Sequence, residues 1–296
     1  MQPMSKTHPV RIVVDSSTCL SPAEARELGI TVVPMRIVVD GRSYRDLIDI
    51  SPTEFYRSLR EARVQHTTSA PTPGDYLEAF QASPGDVLCL TVASSISSMY
   101  QAANSAAGMA LGHRIEVVDS GTAAGGLRLL AEDAARTARS GCPLEEIARR
   151  ARQLSRRIQV LGVLGSLEHI ARSGRIPQIA SWGTSVLRVM PLGRLNNGRL
   201  GLVRLVRGWR AALQALEAEI TRGAAEQGAG AGGKGLRCTV FHADALEVAQ
   251  QLAERLHRAT PEAELGLSEF TPAMGVHTGP GLLGAAFFVD DRQPGE

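Results

Sequence analysis

Lysine is nearly missing from this sequence. Of its 32 basic residues only Lys6 and Lys234 are lysines, and 30 acidic residues bring the formal charge to +2. A chain so close to neutral has no global affinity for a polyanion. Aromatic residues make up only 4%, too few for a platform on which bases stack. No apolar run approaches the roughly 18–20 residues that a membrane-crossing helix needs. The polar start contains Pro3 and Pro9 and does not read as a signal peptide. The four cysteines, Cys19, Cys89, Cys142 and Cys238, are scattered without a CxxC pair. That excludes the common zinc and redox motifs and points to separate thiols in a reducing cytoplasm. Several fingerprints are absent too: a phosphate-binding GxxxxGK[ST] loop, a GxGxxG turn after a strand, a GxSxG elbow, HExxH and an EF-hand loop.

What remains is ordinary globular material. The 296 residues are 44% hydrophobic, enough for one large or two ordinary domains with substantial cores. Arg11 to Asp15 is a β-branched run ending in an acid. Ser21-Pro22-Ala23-Glu24 follows, a capping box with proline at the first helical position. Ser51-Pro52-Thr53-Glu54 repeats that signal, and Thr72-Pro73-Gly74-Asp75 reads as a third helix start. Ser98 and Gln101 stand at the same spacing. Arg36 to Tyr44 reads as a hairpin turned at Asp40-Gly41. Asp86 to Val92 and Ile115 to Val118 have the apolar character of buried parallel strands.

The alternation of strand, loop and helix predicts an α/β protein with a mainly parallel sheet flanked by helices. After a strand at Gln159 to Leu164 the texture changes. Asn196-Asn197-Gly198 turns a hairpin, a helix runs from Trp209 to Ile220, and the Gly- and Ala-rich stretch from Arg222 to Gly235 reads as a surface loop. A strand-helix-strand-strand unit ends the chain. Two domains are expected, 1–164 and 165–296, the second a smaller α/β domain with a mixed sheet.

In open parallel sheets ligands sit beyond the carboxyl ends of the strands. Here those loops are rich in hydroxyls: Ser16-Ser17-Thr18, Thr67-Thr68-Ser69, Ser94 to Ser98, and Ser120 to Thr122. Such hydroxyls, with helix N-terminal N–H groups, suit an anion. They equally suit helix capping. His277-Thr278-Gly279-Pro280-Gly281 reads as a tight turn whose histidine either serves a ligand or is a satisfied structural imidazole. Arg175, in Ser173-Gly174-Arg175-Ile176, and Arg207, before a helix, are each placed to grip a carboxylate or phosphate, or simply to be solvated. Both lie in a stretch from Ile170 to Leu216 that holds eight arginines and no acid.

The order of these segments resembles the DegV family. Val14-Asp15-Ser16-Ser17, Thr68-Ser69-Ala70-Pro71-Thr72-Pro73-Gly74, Ile96-Ser97-Ser98-Met99-Tyr100-Gln101, Val118-Asp119-Ser120, Ser173-Gly174-Arg175-Ile176 and His277-Thr278-Gly279-Pro280-Gly281 carry the resemblance from about Arg11 to Val289. It implies a two-domain DegV-like α/β fold holding one long-chain fatty acid in a buried tunnel. The protein would be a carrier and not an enzyme. It would present the carboxylate to a partner fatty acid kinase, which makes an acyl-phosphate for phospholipid synthesis.

By motif, Thr68, Ser97 and His277 would meet the carboxylate. Ser69, Ser98, Asp15, Ser16, Thr278 and Gly279 would support the site. Arg175 and Arg207 would lie near the opening, where the kinase docks and the acid-free stretch offers a positive face. No metal or cofactor is implied, no nucleic acid, and no stable membrane insertion. The chain departs from the family pattern at Ala70, usually Gln, and at Ser98-Met99, usually Gly-Thr. The alternative is an enzyme that uses His277 for phosphoryl transfer or acid–base chemistry on a small substrate.

Overall fold

The computed structural model describes residues 10–60, 66–82, 84–174 and 189–292. The chain starts with β1 (Arg11–Asp15), a 3-10 turn at Ser16–Thr18, α1 (Pro22–Leu28) and β2 (Ile30–Val33). The Ser21 capping box forms in full: its hydroxyl accepts from Glu24 N, and the Glu24 carboxylate accepts from Ser21 N. β3 (Arg36–Val39) and β4 (Arg42–Arg45) make the hairpin expected at Asp40-Gly41. α2 (Pro52–Leu59), β5 (His66–Ser69) and α3 (Pro73–Gln81) follow. Ser51 and Thr72 cap their helices as their sequences require, each with proline in the first turn.

β6 (Val87–Thr91) is buried at every residue. α4 (Met99–Met109), β7 (Ile115–Asp119), α5 (Gly125–Arg139) and α6 (Leu144–Ser155) complete the first half. Strands β2, β1, β6 and β7 form a parallel sheet in that order. β4, β3 and β5 form a small antiparallel sheet beside it.

The second half contains β8 (Gln159–Val163), α7 (Glu168–Ser173), β9 (Met190–Asn196), β10 (Arg199–Val206), α8 (Gly208–Glu226), β11 (Leu236–Ala243), α9 (Leu246–Ala259), β12 (Glu264–Glu269), α10 (Pro272–Thr278) and β13 (Leu282–Val289). Its six strands form one mixed sheet in the order β10-β9-β8-β13-β11-β12. β8 precedes residue 165 and yet pairs with β9 and β13. A division near Gly165 therefore cuts this sheet, whereas the stretch between β7 and β8 crosses no strand pairing.

α5 joins the two halves. It contacts β1 and β6 of the parallel sheet and β8, β11 and β13 of the mixed one. Burial on two sides demands small residues, and its sequence is rich in Gly and Ala. On the far face of the mixed sheet α8 and α9 bury a second core that includes Leu216, Ile220, Leu252 and Phe287. Each such fully buried side chain contributes about 1.5–3 kcal/mol over an exposed one.

Three local expectations need correction. Ser98 precedes α4 but makes no side-chain cap bond, because its backbone (φ −84°, ψ 5°) is not in the extended conformation a cap requires. Arg222 to Glu226 is helix, not loop. Arg222 pairs with Glu219 and Glu226, and Gly223 lets α8 close onto the Phe287 ring, where a Cβ would sit 2.7 Å from Cζ. His277 and Thr278 form the last turn of α10; the turn proper begins at Gly279.

Candidate functional site

The carboxyl ends of the parallel strands face the mixed sheet, and two aspartates tie their loops together. Asp15 ends β1. Its Oδ1 accepts from Ser17 N at 3.0 Å and from the Ser17 hydroxyl, and its Oδ2 accepts from Val92 N at 2.8 Å, after β6. Asp119 ends β7 and accepts from Ser94 N, the Ser94 hydroxyl and Gly121 N. The Ser120 hydroxyl bonds the Thr122 backbone. Many of the loop hydroxyls are thus engaged within the loops themselves.

A third carboxylate links the halves. Asp46, after β4, is 1% exposed. It accepts from the Ser16 hydroxyl at 2.7 Å and from Ala273 N at 3.1 Å, in the first turn of α10. Burial pushes its pKa up to about 6, opposed by bonds from Ser16, Ala273 and Thr271. Burial also raises Asp15, opposed by its bonds from Ser17 and Val92. Thr271 caps α10 and Pro272 opens it. The helix is thereby fixed so that His277, in its last turn, meets β5: His277 Nε2 and Thr68 Oγ1 lie 2.8 Å apart. Beyond the helix, Gly279 (φ +68°) crosses the His169 ring so closely that a Cβ would lie 2.3 Å from Cδ2. Only glycine fits there.

Between the parallel and mixed sheets lies a cavity with about 1170 Å³ of atom-free space, its open mouth included. Thr68, Ser69, His277 and Thr278 form a polar corner of its lining, and Ser97, before α4, faces it as well. Most of the remaining wall is apolar, built from residues such as Met35, Val92, Ile96, Leu195, Phe241 and Phe270. Among the described residues the lining holds no Lys, Arg, Asp or Glu. An anion entering here would meet hydroxyls and an imidazole, not a fixed positive charge.

The family model described as "Uncharacterised protein, DegV family" matches residues 9–290. This chain belongs to the DegV family. A DegV domain-containing protein of Halalkalibacterium halodurans is 27% identical over 285 residues, covering 95% of this chain and 99% of that one. Among solved structures, a DegV family protein from Thermus thermophilus described for fatty acid binding superposes with TM-score 0.86 at 26% identity, covering 95% of this chain and 99% of the other. A DegV lipid-binding protein from Thermotoga maritima superposes with TM-score 0.84 at 25% identity, covering 96% and 99%. The α/β architecture expected from the sequence is the DegV fold.

The DegV motif residues separate into groups. Thr68, Ser69, Ser97, His277 and Thr278 line the cavity together. Asp15 and Ser16 are fully buried behind it and tie loops. Gly279 shapes the turn after α10, and Ser98 is exposed outside the lining. Of the departures from the family pattern, Ala70 and Met99 face the cavity and Ser98 does not. Arg207 is exposed before α8 and is not part of the lining. Arg175 lies outside the described residues.

The arginine-rich stretch is less positive than its sequence. Arg194 and Arg204 both bind Glu219, which lies just beyond it, and Arg172 binds Glu168, just before it. Asp46 was not singled out by sequence reasoning. It sits in the loop between β4 and α2, ahead of the Ser51 capping box and outside it.

Proposed function

We propose that this protein binds one long-chain fatty acid in the cavity and presents its carboxylate to a separate fatty acid kinase. The observation that carries the reading is a largely apolar cavity with a polar corner of Thr68, Ser69, His277 and Thr278 and no Lys, Arg, Asp or Glu among its described lining residues. Each buried methylene contributes about 0.8 kcal/mol, so an acyl chain supplies most of the affinity. A carboxylate that loses water needs donors in exchange. In this reading Thr68 and Ser97 donate to it, and His277 sits beside it. Ser69 is exposed and lines the same cavity, so the polar corner reaches the surface, where a partner enzyme can act. Arg175 and Arg207 are assigned to contacts with that partner. The fatty-acid and lipid binding described for the Thermus and Thermotoga relatives supports the same ligand class.

Mass spectrometry of protein denatured after purification from cells is expected to show fatty acid near one equivalent. Protein that carries none, and that also fails to bind palmitate or oleate, refutes the reading. A hydrogen bond to a charged group contributes about 1.5–3 kcal/mol. Thr68→Ala with Ser97→Ala is therefore expected to weaken fatty acid binding by at least about a hundred-fold while the fold persists. Unchanged affinity in that double variant rejects the assignment of the two hydroxyls.

A further inference from the structure

The cavity-facing side of the mixed sheet carries a row of glycines. Phe241 pairs directly with Gly284, Gly284 with Gly162, and Gly162 with Gly193. Residues paired across strands point to the same face. Phe241, Gly162 and Gly193 line the cavity, so this is the face that looks into it. The next row on that face is Leu195, Val160 and Ala286. On the other side of the glycines stands Leu282, two residues before Gly284. A bare strip thus crosses the strands between two apolar ridges. At about 4.8 Å per strand, Gly284 and Gly193 lie about 10 Å apart, and the part that Phe241 leaves bare, from Gly162 to Gly193, spans about 5 Å.

One end is closed. The Phe241 ring lies over Gly284, where a Cβ would come within 2.3 Å of Cε2. From above, Gly125 of α5 approaches so closely that its Cβ would lie 2.8 Å from Cδ1. The ring also stacks on Phe270, with centroids 5.3 Å apart. These contacts immobilise it. Gly162 is different. Among the described residues a Cβ there would meet only Leu282 Cδ1 at 3.5 Å and the Leu283 carbonyl at 3.9 Å, which is ordinary contact. The missing side chain at Gly162 is therefore not demanded by packing among the described residues. Glycine inside a strand weakens it, and such a position marks close approach by something else.

We propose that this strip is the bed of the acyl chain, that Gly162 and Gly193 determine which chains fit, and that Phe241 is its end wall. The proposal rests on the fatty-acid reading and deepens it: a straight methylene segment crosses β8 and β9 over the glycines. A methyl group at position 162 leaves the protein's own contacts intact and occupies space that the ligand needs.

The test compares wild type with Gly162→Ala, Gly162→Val and Phe241→Leu. Gly201→Ala serves as control, because a Cβ at Gly201 meets nothing within 4 Å among the described residues and Gly201 lies outside the lining. Affinities for dodecanoate, palmitate and stearate are read by displacement of a fluorescent fatty acid, with thermal melts to verify folding. Gly162→Ala is expected to weaken palmitate and stearate about ten-fold and dodecanoate less. Gly162→Val should exaggerate that difference, and Phe241→Leu should shift preference towards stearate. Gly201→Ala should leave the profile alone. If folded Gly162→Ala keeps the wild-type palmitate affinity and chain-length profile, the strip is not the acyl bed. Wild type that binds none of the three acids fails differently, removing the fatty-acid reading and this proposal with it.

Discussion

Asp46→Asn should change how the protein's stability depends on pH, with a sign fixed by burial. Asp46 is raised from 3.8 to about 6 in the folded protein. A carboxyl group whose folded pKa lies above its unfolded one binds its proton more tightly when folded. Its stabilising contribution is full below about pH 4 and is lost as pH rises through about 6. A shift of about two units corresponds to about 3 kcal/mol, since one unit is about 1.4 kcal/mol. That is a large share of a typical folding free energy of about 5–15 kcal/mol.

Asparagine cannot ionise, so the variant lacks this pH-dependent loss. It will carry a fixed penalty at every pH, because its amide nitrogen faces one of the donors from Ser16, Thr271 or Ala273. Total stability is not the right readout. Asp49 and Asp290 have lowered pKa values, Asp49 through bonds from Arg45 and Asp290, against its burial, through bonds from Arg292. Such groups stabilise increasingly as pH rises, and they mask Asp46. The difference between variant and wild type isolates it. Urea unfolding at about pH 4 and about pH 7.5 should show that difference moving in favour of the Asp46→Asn variant by about 3 kcal/mol. A difference that stays flat, or moves the other way, refutes the claim that Asp46 is held in a desolvated site between the two halves.

Two further predictions concern groups away from the cavity. Asp133 is 2% exposed at its side chain and accepts from Arg150 and Arg292, with Arg237 also near. Arg150 and Arg292 keep Asp290, and Arg237 keeps Glu264, so Asp133→Ala should cost about 1–3 kcal/mol for the charged hydrogen bonds lost, and no measurable loss in urea unfolding counts against that. Burial pushes the Cys19 and Cys238 thiols up to about 12 and raises Cys89 well above its ordinary value, whereas Cys142 is the half-exposed one of the four. Iodoacetamide at mildly alkaline pH should label Cys142 first, and equal labelling of all four in the folded protein would contradict the burial.

What the sequence made legible follows from how local each signal is. Ser21, Ser51 and Thr72 cap helices because an N-cap needs only its own backbone and the next turn. Thr271-Pro272 keeps the N-cap hydroxyl and the proline of that signal but has Met274 in place of the acid, so α10, with His277 in its last turn, is less plainly marked. α8 runs past Ile220 because glycine at 223, a sign of looseness by composition, serves close approach to Phe287. The hydroxyl loops could not be sorted from sequence. Whether Ser16 faces a ligand or Asp46 depends on a contact between residues thirty positions apart. The glycine row was invisible for a similar reason: Gly162, Gly193 and Gly284 become neighbours only when three strands pair in register.

The carboxylates of this structure explain why a cavity read as a fatty-acid site can do without a fixed charge. Asp15 and Asp46 are buried outside the lining, and they, like Asp119, are engaged with hydroxyls or amides of the loops around it. Those donors are taken up within the loops, while Thr68, Ser97 and His277 face the space. With no arginine among the described lining residues, a carboxylate bound there as proposed would meet hydroxyls and an imidazole in place of a guanidinium. A buried ion pair would resist separation, because removing one partner strands the other at about 3–5 kcal/mol. Hydroxyls lose far less when an anion leaves. For a protein whose proposed task is to yield its cargo to another enzyme, neutral donors at the exit and apolar contact along the chain divide the work between release and retention.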